Sequence, residues 1–150
     1  MGVIGIRRED KSVWETRVPL VPEDVWTLAA AGIRILVQRS PNRCFPDKAY
    51  AAAGAELVDD LTEADFILGV KEIPPELIQE DRTYLFFSHT MKGQPYNMPL
   101  LQRLLDQRCT LLDYELIAND QGVRTVAFGR HAGLAGAIDT LSALGVRLAQ

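Results

Sequence analysis

The residues of this chain whose types suit chemistry fall into a few short groups. Lys71 is followed by Glu72, His89 is followed shortly by Lys92, and Asp113 and Glu115 precede Arg124. The first stretch adds Arg7, Arg8, Glu15 and Arg17. Histidine and lysine are groups that move protons when their surroundings tune them. Arginine grips carboxylates through two parallel hydrogen bonds, and 12 of the 16 basic residues are arginine. Each residue also has a purely structural reading. Lys71 can be a solvated strand-end lysine, His89 a loop cap and Arg17 surface charge. Glu115 and Arg124 can be a cross-hairpin ion pair worth under about 1 kcal/mol if exposed. Chemistry gains over structure only if these groups land on one edge of a sheet.

The elements between them predict that they do. Val3–Ile6, Ile33–Gln38, Phe66–Lys71, Tyr84–Ser88 and Thr110–Tyr114 are apolar, β-branched runs without strict alternation, which suits buried parallel strands. Helical stretches separate them. Pro22–Ala31 starts with proline and acids and stops at Gly32, Asp47–Ala53 stops at Gly54, and Asn97–Gln107 carries Met98, Leu101, Leu104 and Leu105 on one face. The alternation predicts an α/β fold: an open, mostly parallel, Rossmann-like or flavodoxin-like sheet with helices on both faces. Asn119-Asp120-Gln121-Gly122 is a turn signal, and Val123–Ala127 after it predicts an antiparallel edge hairpin with Thr110–Tyr114. A last helix, from Gly133, carries Leu134, Ile138, Leu141 and Leu148 and has no stop signal, as if the natural protein continued. In such folds ligands bind beyond the carboxyl ends of the strands, where Lys71, His89 and Glu115 fall.

Composition narrows the field. With 150 residues, 47% apolar and 24% charged, the chain suits one globular domain that folds without disulfide or metal. The net charge of −4, with no basic block, argues against nucleic acid. Cys44 and Cys109 form no CxxC or Cys/His cluster, so no metal is expected and both are expected to be reduced. No signal core or membrane-length apolar run occurs, so a soluble, cytoplasmic protein is expected. Gly129, Gly133 and Gly136 are spaced GxxxGxxG rather than GxGxxG, with too little chain after them for a βαβ unit. Their expected role is close backbone packing at the start of the last helix.

Longer motifs carry a resemblance. Ile4-Gly5-Ile6-Arg7-Arg8-Glu9-Asp10, then Trp14-Glu15-Thr16-Arg17-Val18-Pro19-Leu20-Val21-Pro22, resemble the opening of the lysine-forming saccharopine dehydrogenases. The same domain opens the lysine–ketoglutarate reductase part of aminoadipic semialdehyde synthases. Leu68-Gly69-Val70-Lys71-Glu72, Phe86-Phe87-Ser88-His89-Thr90-Met91-Lys92, Leu112-Asp113-Tyr114-Glu115 and Gly122–Gly129 extend the likeness over nearly the whole chain. More distantly, the layout is similar to the N-terminal domains of alanine dehydrogenases and the transhydrogenase α subunit. The resemblance implies a two-domain oxidoreductase acting on lysine, 2-oxoglutarate and saccharopine. This chain would be its substrate domain. A Rossmann domain holding NAD or NADP, in cis or as a separate subunit, would be missing. No cofactor is then expected on this chain alone, nor turnover by it alone. The resemblance assigns acid–base roles to Lys71 and His89, tuning to Glu72 and Glu115, and carboxylate binding to Arg17 and Arg124. Lys92 and Arg130 are lesser candidates. The other readings are a non-catalytic amino-acid or oxoacid-binding module and alanine dehydrogenase-like chemistry.

Overall fold

In a computed structural model, which describes residues 2–149, the apolar runs form six strands. They are β1 (Ile4–Ile6), β2 (Ile35–Gln38), β3 (Glu56–Val58), β4 (Phe66–Leu68), β5 (Thr83–Phe86) and β6 (Thr110–Asp113). All pair in parallel, in the order β3-β2-β1-β4-β5-β6. Helix α1 (Pro22–Ala30) joins β1 to β2, α2 (Asp47–Ala52) joins β2 to β3, and α3 (Met98–Asp106) joins β5 to β6. The chain divides after Leu116 into two units, and the second contains α4 (Gly129–Leu148).

Both faces of the sheet are packed, which is why its strands read as continuous apolar runs. Along β2, Ile35 and Val37 enter one core with Ile6, Val25 of α1 and Tyr50 of α2. Leu36 enters the other, with Ile67, Tyr84, Phe86 and Leu100 and Leu104 of α3. On this second face β1 presents Gly5. A Cβ there would lie 2.7 Å from the Ala64 Cβ and 3.0 Å from Leu61, so glycine lets the β3–β4 crossing lie directly on the strand.

The helix starts and stops follow their signals. Pro22 opens α1, the Asp24 carboxylate accepts the Val21 N–H at 3.0 Å, and Gly32 leaves the helix with φ +81°. Four expectations need correction. β3 has no counterpart among the apolar runs, because three residues on an edge leave little pattern. In α3 the buried stripe is Leu100–Leu104 with Asn97 at its start, while Leu105 is 64% exposed. The antiparallel return does not pair with β6. That strand runs into a 3₁₀ turn at Tyr114–Leu116, and Ala118 bridges Arg124 instead. Asn119 closes that turn, its side-chain oxygen accepting the N–H groups of Gln121 and Val123. Finally, a Cβ at Gly129, Gly133 or Gly136 would meet nothing within 4 Å among the described residues, so no close approach there requires glycine.

Candidate active site

The chain runs outward from β1 in two directions, β1 to β3 one way and β4 to β6 the other. The connections after β1 and β4 therefore lead to opposite sides of the sheet, and this switch point, at the strands' carboxyl ends, is where doubly wound sheets bind ligands. Glu9, Glu15 and Arg17 follow β1, and Lys71 and Glu72 follow β4. His89 follows β5, next door, and Glu115 follows β6.

Past its last paired residue, β4 continues beside both neighbours. The Arg7 N–H donates to the Leu68 carbonyl at 3.0 Å, Gly69 N–H to Leu85 at 2.9 Å, and Phe87 N–H to Val70 at 3.1 Å. The Glu9 carboxylate then accepts the N–H groups of Val70, at 2.8 Å, and Lys71, at 3.0 Å. Burial pushes the Glu9 carboxyl pKa above the ordinary value of 4.5, against the pull of those two N–H groups and of Arg7.

Glu72 and His89 meet side chain to side chain, with Nδ1 2.9 Å from Oε1. Burial alone would raise the Glu72 carboxyl. Its own backbone N–H, the His89 hydrogen bond and the Lys11 charge outweigh that and hold it below 4.5. The Lys11 ammonium lies 3.9 Å from Glu72 Oε2. The His89 ring stacks on Phe87, with centroids 6.4 Å apart, and Phe87 meets Tyr114 edge-on at 5.2 Å. Backbone geometry here is unusual: His89 has φ +52°, a left-handed conformation uncommon for a side chain with a Cβ. Neighbours hold it. Asn97 Nδ2 donates to the His89 carbonyl at 3.2 Å, and Thr90 N–H donates to Ser88 Oγ at 3.2 Å. Ser88 in turn donates to Asp113 Oδ2, and both are buried. The other Asp113 oxygen accepts the Glu115 N–H at 2.8 Å. One buried carboxylate thus ties the end of β5 to the end of β6.

Arg17 and Glu15 form a bidentate pair, with Nε 2.7 Å from Oε1. The Arg17 bond lowers the Glu15 carboxyl, and the Lys71 charge adds to this. In this structure Glu15 therefore occupies part of the guanidinium expected to grip a substrate carboxylate. Lys71, Glu72, His89, Glu15 and Arg17 thus lie on the first unit's carboxyl edge, with Glu115 at the end of β6. Arg124 and Arg130 lie in the second unit, Arg124 on the return arm of the Asn119 turn. Lys92 is exposed on the loop after His89. The sequence reading gave no role to Glu9 or to the Ser88–Asp113 bond. Neither has a signal in residue spacing, since both act on groups brought near by the sheet.

These residues do not fit a nicotinamide dinucleotide. In a sheet of this order the pyrophosphate rests on glycines in the turn after β1. Here that turn reads Arg7-Arg8-Glu9-Asp10, with a part-buried carboxylate at its centre, and α1 begins only at Pro22. The glycine-rich segment lies within α4 rather than in a strand-to-helix turn.

Comparison with known proteins agrees with this architecture. The profile of the family described as "Alanine dehydrogenase/PNT, N-terminal domain" matches residues 5–135. The chain is 46% identical over 146 residues to the mitochondrial alpha-aminoadipic semialdehyde synthase of Bos taurus, covering 97% of this chain and 16% of that protein. It is 36% identical over 137 residues to the saccharopine dehydrogenase [NAD(+), L-lysine-forming] of Yarrowia lipolytica, covering 88% and 37%. Among solved structures, an L-alanine dehydrogenase superposes with a TM-score of 0.68 at 27% identity, over 79% of this chain and 34% of that one. A transhydrogenase from Sinorhizobium meliloti shares the fold, with a TM-score of 0.64 at 21% identity over 76% and 35%. The chain thus spans about a sixth of the synthase and just over a third of the saccharopine dehydrogenase. With the profile running through both the β1 and β4 loops, the chain belongs to the alanine dehydrogenase/PNT N-terminal domain family.

Proposed function

We propose that this chain is the substrate-binding domain of a saccharopine dehydrogenase-like oxidoreductase, one that joins L-lysine to 2-oxoglutarate by reductive amination, or runs the reverse. The observation that carries the reading is the Glu72–His89 pair at the strand end next to Lys71, in a chain 46% identical to part of an aminoadipic semialdehyde synthase. Condensing an amine with a ketone requires a proton to leave the amine and another to reach the departing oxygen. Lys71 and His89 are the two groups assigned to this, each a type of contribution worth about 10²–10⁴-fold. With a carboxylate accepting from Nδ1–H, the neutral His89 ring carries its lone pair on Nε2, ready to exchange a proton with substrate. Glu72 and Glu115 set the local charge. Arg17 and Arg124 are the carboxylate-gripping residues, and Arg17 reaches substrate by exchanging Glu15 for a substrate carboxylate. NAD or NADP belongs to a Rossmann domain outside these 150 residues, in cis or on a partner subunit, and this chain by itself does not turn over.

The test is Lys71→Met in the assembled enzyme. We expect kcat to fall about 10²-fold or more with little change in thermal stability. Unchanged kcat would remove Lys71 from the mechanism. Calorimetry on the 150-residue chain checks the division of labour: saccharopine or 2-oxoglutarate is expected to bind weakly and NADH and NADPH not at all. Clear nicotinamide binding would overturn it.

A further inference from the structure

We infer that Glu9 is a positioning residue for Lys71: its carboxylate, gripping the backbone N–H groups of Val70 and Lys71, sets where the lysine side chain leaves the sheet. The inference rests on the acid–base reading of Lys71 given above. It begins with the ladder between β1 and β4. In a parallel pair the bonds are evenly spaced, and Arg7 N–H to the Leu68 carbonyl is a regular rung. The next would run from Val70 N–H to the Arg7 carbonyl. Instead Glu9 Oε1 takes the Val70 N–H and Oε2 takes that of Lys71. A side chain two residues further along replaces the missing strand, and β1 is released to turn away without leaving two N–H groups orphaned.

The neighbouring residues fit around this grip. A Cβ at Gly69 would lie 3.0 Å from the Arg7 Cδ and 3.4 Å from Glu9 Oε1, so the Arg7 stem and the Glu9 carboxylate lie over the one strand-end residue that has no side chain. Arg7 is itself buried and held by Asp10 at 2.7 Å. Both Glu9 oxygens accept backbone N–H groups, which ties the carboxylate to the strand end that carries Lys71. A lysine carried on a mispositioned backbone loses its reach, and a displacement of about 1 Å at a reacting group can cost on the order of 10²-fold in rate.

Two measurements test this. In the chain itself, amide spectra followed from acid to neutral pH should show the Val70 and Lys71 N–H signals moving together with a single carboxyl titration, absent in Glu9→Gln. Signals that stay put in the unaltered chain would overturn the grip, and this needs no variant to fold. In the assembled enzyme, Glu9→Gln keeps the shape but turns an NH₂ toward one backbone N–H. We expect kcat to drop on the order of 10- to 100-fold with KM nearly unchanged. Full kcat in Glu9→Gln while Lys71→Met is inactive overturns the role of Glu9 alone. Full kcat in Lys71→Met overturns the reading of Lys71, and with it any catalytic consequence of Glu9.

Discussion

Glu72, just past β4, bonds His89, just past β5, and its ionisation strengthens that link. Its carboxyl lies below the ordinary 4.5, so the ionised form is favoured in the folded chain. A depressed acid contributes stability above its unfolded value, and that contribution is lost as pH falls through the folded value. In Glu72→Gln the decline of stability below pH 4.5 should therefore be shallower than in the unaltered chain. Urea unfolding at a series of acidic pH values measures this, and an unchanged slope would mean that Glu72 is not the linked group. At this scale the sequence was informative about residue type and silent about bonding. Lys71, Glu72 and His89 stand out as proton-moving groups near strand ends. That Glu72 Oε1 meets Nδ1, or that Ser88 meets Asp113, depends on β4, β5 and β6 being neighbours, which no local pattern records.

The strands owe their spacing to what crosses them. Gly5 sits where Ala64 and Leu61 press on β1, and any side chain there would have to displace them. Gly5→Ala should cost about 1–3 kcal/mol, the usual range for overpacking a core. Ala64→Gly in the same chain should recover part of it, because the 2.7 Å contact is with the Ala64 Cβ. Urea midpoints of the single and double variants test the pair, and strict additivity would rule out direct contact. Five of the six strands and all four helices could be located from apolar runs, helical spacing and Pro and Gly punctuation. β3 could not, since Glu56-Leu57-Val58 gains its strand character only from pairing with β2. The misplaced hairpin has a similar cause. The Asn119 turn was legible, but its partner was not, because the 3₁₀ turn at Tyr114–Leu116 had already taken the chain off the sheet.

As a whole the molecule combines a packed sheet unit with a second unit whose helix has no buried residue. Leu134, Ile138 and Leu141 of α4 are 56%, 66% and 69% exposed. Most helical stability comes from burying an apolar face, and α4 buries no residue. Its amides should exchange with solvent on the order of 100-fold faster than those of β1, β2 and β5. Hydrogen-exchange mass spectrometry measures this, and equal protection in both units would contradict it. The fold class was readable because parallel strands buried on both faces leave an unmistakable composition, whereas strand order is a property of the assembled sheet. That order has a bearing on synthesis. After β1 and β2 have paired, β3 joins the free side of β2, β4 the free side of β1, β5 the side of β4 and β6 the side of β5. No strand has to wedge between two already joined. Because parallel pairing of distant segments is slow and leaves edges open while it waits, a sheet that only ever adds at its margins can grow from its centre outward as the ribosome releases the chain.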